Sequence, residues 1–116
     1  MNTIKIYHNP RCSKSRQTLS LLNEKGIEPE IVLYLENTPS KTELKEILEK
    51  LSMSARDIIR KGEAAYKELQ LSNEELTDDQ LIDALIDQPK LIERPIVVHG
   101  SAAIIGRPPE NVLDII

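Results

Sequence analysis

One cysteine, Cys12, stands in the run His8-Asn9-Pro10-Arg11-Cys12-Ser13-Lys14-Ser15-Arg16 and is the only thiol of the chain. A break at Pro10 precedes it and helical spacing follows it. Its sulfur is therefore expected beside unpaired backbone N–H groups and the positive end of a helix dipole. That placement favours the thiolate, and Arg11, Lys14 and Arg16 favour it further. Together they should move the thiol from about 8.5 towards the ~3.5–7.5 range of activated cysteines. The same N–H groups, with Arg16, would form an oxyanion cradle. A lone cysteine is more often a small buried hydrophobe, but Pro, Arg, Ser and Lys are not core neighbours. His8, four residues upstream, either stabilises the thiolate when protonated or caps the turn; spacing leaves both open.

Other cysteine and metal chemistries do not fit. Position 18, where a Cys-x5-Arg phosphatase loop needs arginine, holds Thr18, and Cys12-Ser13-Lys14-Ser15 lacks the second thiol of a redox pair. His8 and His99 with a single cysteine lack zinc-ligand spacing, so no metal is expected. Three more arginines could hold an anion with a forked guanidinium: Arg94 before Pro95, Arg107 between Gly106 and Pro108, and Arg60 in a helical stretch. From spacing alone each is more often a surface charge.

The elements that must position these groups follow from periodicity. Thr3–Tyr7 alternates and is β-branched, so a strand is expected there, followed by a helix from Ser13 to Lys25 that Gly26 stops. Ile31–Leu35 is continuously apolar and suits a buried strand. Ser40 with Glu43, Ser54 with Asp57 and Thr77 with Gln80 stand as helix starts, giving three helices over about 40–88, the second running roughly to Leu69. Strands at 94–98 and 102–105 are close enough to form a hairpin, and a short helix ends at Ile116. The order βαβ, helices, ββα predicts one domain over 1–116, a three-layer α/β/α thioredoxin-like fold with a helical insertion.

Composition narrows the function. The chain has 116 residues, 40% hydrophobic and 29% charged, the balance of a globular domain. Three Tyr with no Phe or Trp leave no aromatic platform for stacking bases. A net charge of −4 argues against nucleic acid and anionic membranes as partners. No run approaches the ~20 apolar residues of a membrane span, and a reducing, cytoplasmic location is expected. Within this acidic chain, residues 1–27 carry five Lys or Arg against Glu24 alone, which suits a small anionic ligand.

The run from His8 to Arg16, taken with Glu93-Arg94-Pro95-Ile96-Val97-Val98 and Ile105-Gly106-Arg107-Pro108-Pro109-Glu110, resembles the ArsC family of glutaredoxin-coupled arsenate reductases, of the thioredoxin-like superfamily. The resemblance covers essentially the whole chain. It implies Cys12 as nucleophile, His8 as the histidine that assists its ionisation, and Arg60, Arg94 and Arg107 as oxyanion ligands, with Ser15 and Arg16 in support. It also places Pro95 at the cis-proline that faces the cysteine in such folds. Arsenate or a similar oxyanion would be reduced with glutathione as co-substrate and glutaredoxin as partner, with no bound cofactor. Two alternative readings of the chain stand beside this one: an Spx-like regulator that binds RNA polymerase, a class that resembles this family in fold and often carries the Cys-x-x-Cys switch absent here, and a glutathione-dependent thiol transferase without arsenate activity.

Overall fold

The computed structural model describes residues 3–116. The chain divides into two compact units, residues 1–37 with 94–116, and residues 38–93. The first holds a four-stranded mixed sheet of β1 (Ile4–Tyr7), β2 (Glu30–Val32), β3 (Ile96–His99) and β4 (Ala102–Ile105), in the order β2-β1-β3-β4. β2 runs parallel to β1, while β1 with β3 and β3 with β4 are antiparallel. Helix α1 (Ser13–Glu24) and a 3-10 segment (Pro109–Asp114) pack together. Ile4 and Ile6 of β1, Leu22 of α1, Val97 of β3 and Val112 of the 3-10 segment form one buried cluster, joined by Leu19, Ile27 and Ile104. Alternation along β1 and the 3.6-residue period of α1 bring these side chains to a common core.

α1 ends as the glycine predicts. Gly26 adopts φ +77°, and the N–H groups of Gly26 and Ile27 bond to the Asn23 and Leu22 carbonyls. The expected buried strand over Ile31–Leu35 is corrected to Glu30–Val32, with Ile31 48% and Leu35 38% exposed. β2 is an edge strand paired only with β1. Beyond it the chain turns, as the Glu36 and Asn37 N–H groups bond back to the Leu33 carbonyl. An apolar run cannot by itself report how many neighbours a strand has.

The second unit contains the helical block. α2 (Lys41–Leu51) and α4 (Asp78–Asp87) begin at the expected caps, Ser40 accepting the Glu43 N–H and Thr77 pairing reciprocally with Gln80. Leu44, Ile47, Leu48 and Leu51 of α2 and Leu81, Ile82 and Leu85 of α4 are buried, as helical spacing requires. The second expected helix is broken. Asp57 caps Ser54, but only a 3-10 turn (Ala55–Ile58) follows, then an Ile59–Ile92 bridge and a short α3 (Ala64–Glu68). Pairing of Ile59 with Ile92 holds the backbone extended just where the helix would have continued. The final helix is likewise 3-10, and β3 starts one residue after Pro95.

The backbone of the first unit comes close to its neighbours at Gly106. Its N–H bonds to the Pro95 carbonyl at 2.9 Å, and its carbonyl accepts the Thr18 hydroxyl at 3.3 Å. A Cβ there would stand 2.6 Å from Thr18 Oγ1 and 3.0 Å from Pro95 Cγ. Gly106→Ala should therefore lower stability by about 1–3 kcal/mol, the range of small-to-large substitutions in packed interiors. Urea denaturation measures it, and a change inside about 0.5 kcal/mol, the level of a neutral surface substitution, would show that the corner yields freely.

Candidate active site

The sequence after β1 folds as a turn because Asn9 satisfies it from within. Asn9 Oδ1 accepts the Arg11 N–H at 3.0 Å, and its carbonyl accepts the Cys12 N–H at 3.0 Å. Ser15 Oγ closes the loop from the helix side, accepting the Asn9 N–H at 3.1 Å and bonding His8 Nδ1 at 2.6 Å. His8, Asn9 and Ser15 are all buried. The His8 N–H bonds in turn to the Val32 carbonyl of β2. The loop is thus tied to the sheet at one end and to α1 at the other.

Cys12 is the residue that caps α1, with extended backbone at φ −93° and ψ 122°, and its carbonyl accepts the Arg16 N–H. It makes no conventional side-chain cap bond, and the first turn of α1 contains no acidic residue to oppose a thiolate. Half-buried, it is pushed up by desolvation. The N–H groups of Ser15 and Lys14, with the hydrogen bond and positive charge of Arg94, outweigh that, and the net shift is downward from an ordinary thiol.

Residues 82 and 95 positions away complete the site. Arg94 precedes a cis peptide to Pro95, the proline that the family resemblance places opposite the cysteine; Arg107–Pro108 is also cis. Arg107 Nη1 lies 3.8 Å from Cys12 Sγ and donates to the Arg94 carbonyl at 3.2 Å. One guanidinium thus touches the sulfur while bracing the backbone of the other arginine. Cys12, Arg94 and Arg107 are brought together.

Three expected residues stand differently. Of the two roles that spacing left open for His8, the structure favours the turn: burial first, and the charge of Arg16 second, lower its pKa from 6.5 and disfavour the cation. A neutral imidazole bonded to Ser15 is what the loop contains at pH 7. Arg16 commits Nη1 to the Pro10 carbonyl at 2.8 Å, bracing the turn rather than lining a cradle. Arg60 belongs to the second unit, where Nη1 meets Glu93 Oε1 at 3.3 Å and Nε lies 3.6 Å from Glu63 Oε2.

Sequence reasoning missed Asn9, Thr18 and Gly106. Asn9 beside a proline carried a turn signal. Thr18 carried none, since a mid-helix threonine reveals nothing of a partner 88 residues away. No group of three His, Cys, Asp or Glu suited to a metal gathers among the described residues. Nor is any helix among them long and apolar enough to cross a membrane.

The sequence pattern of the ArsC family matches residues 7–115. The chain is 56% identical to a protein of Escherichia coli K12 named uncharacterized protein YfgD, over 97% of this chain and 96% of that one. It is 52% identical to an arsenate reductase of Neisseria meningitidis serogroup A, over 97% of each. Among solved structures, an arsenate reductase from Vibrio cholerae superposes with a TM-score of 0.96 at 50% identity, covering 99% of this chain and 98% of that one.

The electrostatics fix a pH dependence. The group is reactive only as thiolate, so alkylation by iodoacetamide should rise with pH through a midpoint below the roughly 8.5 of a free cysteine. Arg94→Met removes a hydrogen bond and a charge that both favour the anion, and should move the midpoint up. Coincident curves for the two proteins would show that Arg94 does not act on the sulfur.

Proposed function

The chain belongs to the ArsC family and has a thioredoxin-like α/β fold, and on this premise we propose that it is an enzyme reducing arsenate to arsenite with the Cys12 thiolate as nucleophile. The observation that supports this most is the convergence of Arg94 and Arg107 on the sulfur of a helix-capping cysteine. An oxyanion drawn to the two guanidinium groups would meet the nucleophile at once, and its developing charge would be held in place. Arg60 is given no part in this assignment, because Glu63 and Glu93 engage its guanidinium within the second unit. His8, neutral and bonded to Ser15, acts as a positioning residue by fixing the loop that carries Cys12.

Electron counting supports the co-substrate. Arsenate takes up two electrons to become arsenite, and two thiols supply two electrons when they join in a disulfide. This chain contributes one sulfur. In the proposed sequence the Cys12 thiolate displaces a protonated oxygen from arsenic, and glutathione supplies the second sulfur. Arsenite leaves with the electron pair as Cys12 and glutathione become a mixed disulfide. A glutaredoxin thiol then takes the glutathione and restores Cys12. The reaction draws on thiols alone and suits a reducing cytoplasm.

Three substitutions test the roles in an arsenate-reduction assay supplied with glutathione and glutaredoxin. Cys12→Ser should abolish turnover with the fold retained, because a hydroxyl without an adjacent base is a far weaker nucleophile; turnover by the folded variant would remove Cys12 from the reaction. Arg94→Lys and Arg107→Lys keep the charge but lose the guanidinium fork. Each should cost about 2.7–4 kcal/mol of transition-state stabilisation, as loss of an oxyanion-hole donor does. Wild-type rates in both lysine variants would move the oxyanion site elsewhere.

A further inference from the structure

Arg107 is exposed, yet its Nη1 reaches to 3.8 Å from Cys12 Sγ. A long surface side chain keeps such a distance only where the backbone that carries it is fixed, because its effect on the sulfur weakens as the two separate. The peptide groups on either side of the Arg107 Cα are held at each polar atom. Before it, the Gly106 carbonyl accepts the Thr18 hydroxyl at 3.3 Å, and the Arg107 N–H bonds to the Ile105 carbonyl at 2.9 Å. After it, the Arg107 carbonyl accepts Asn111 Nδ2 at 3.1 Å, and Pro108 has no N–H to satisfy. Two of these three partners are side chains, Thr18 and Asn111.

They come from different elements. Thr18 lies within α1, fully buried, and donates at 2.8 Å to the Lys14 carbonyl one turn back. A threonine inside a helix commonly spends its hydroxyl on that local bond. Here the single proton is shared with a carbonyl 88 residues away. Asn111 belongs to the 3-10 segment and is only half-buried. Its backbone N–H bonds to the Pro108 carbonyl at 3.0 Å, and its Nδ2 also lies 3.5 Å from the Ile105 carbonyl. One amide side chain thus spans the turn from which the Arg107 side chain leaves.

We propose that Thr18 and Asn111 are positioning residues for the Cys12 reaction: by holding the carbonyls of Gly106 and Arg107, they keep the Arg107 guanidinium at the sulfur. The proposal rests on the reading of Cys12 as nucleophile with Arg107 beside it, and assigns the residues that place that arginine.

The test leaves arsenate out and reads the thiol by its alkylation with iodoacetamide, so that it can fail while the reductase reading stands. Rates are compared about one pH unit below the wild-type midpoint, where the thiolate fraction governs them. Arg107→Met removes the charge and should slow alkylation. Thr18→Val and Asn111→Ala should each slow it about two- to threefold, the effect of letting a cation drift about 1 Å further from an anion at intermediate dielectric. Thr18→Ser retains the hydroxyl and should react as wild type does. In an Arg107→Met background, neither Thr18→Val nor Asn111→Ala should slow the reaction further, because the group that they place is gone. A purely structural role would slow both backgrounds alike, and for Thr18 it would act through Lys14 and the first turn of α1. Equal slowing in both backgrounds therefore overturns the proposal, as does a wild-type rate for Arg107→Met or for either single variant. Should Thr18→Val not fold, Asn111→Ala, at a half-buried position, decides by the same comparison.

Discussion

The first unit depends on how closely the corner at Gly106 approaches α1. A backbone without a side chain lies against Thr18 and Pro95, and its carbonyl takes the hydroxyl of a fully buried threonine. The next residue is Arg107, so the same contact that closes the corner determines where that guanidinium can reach. Thr18 also donates to the Lys14 carbonyl one turn back, which joins the first turn of α1 to the corner. The Cys12–Arg107 pair, 95 residues apart in sequence, inherits its geometry from this packing. Interiors packed as densely as crystals transmit such constraints with little slack.

Around the sulfur, two opposed effects are balanced. Partial burial disfavours a thiolate, while helix N–H groups and Arg94 favour it and prevail. Burial acts on His8 in the same direction as its charged neighbour, and both leave the imidazole neutral. The loop thus holds a buried, hydrogen-bonded histidine, and its cysteine lies within reach of the Arg94 and Arg107 guanidinium groups. Its hydrogen bonds are shared among few atoms, since Ser15 Oγ serves both His8 and the Asn9 N–H. Buried polar networks of this kind hold one arrangement because every alternative leaves a group unsatisfied.

In the second unit the carboxylates are as informative as the arginine. Arg60 has Glu63 three residues on and Glu93 at the far end of the unit, and the Glu93 N–H bonds to the Ile58 carbonyl. The Ile59–Ile92 bridge that interrupts the expected helix also brings these residues together. A break in helical periodicity and the fixing of a cationic side chain therefore have one cause.

The sequence by itself determined the strand, turn and helix around Cys12, the caps at Ser40 and Thr77, and the cation-rich setting of the thiol. All of these are set by neighbours within a few residues, through periodicity, capping and charge. The motifs around Cys12, Arg94 and Arg107 also carried the family. Tertiary structure decided which strand became an edge, why the stretch after Ile58 is not a helix, and that His8 is neutral. It alone brought Arg94 and Arg107 to the sulfur and turned Arg16 to the Pro10 carbonyl. Each of these depends on burial or on a partner tens of residues away, and local sequence carries no measure of either.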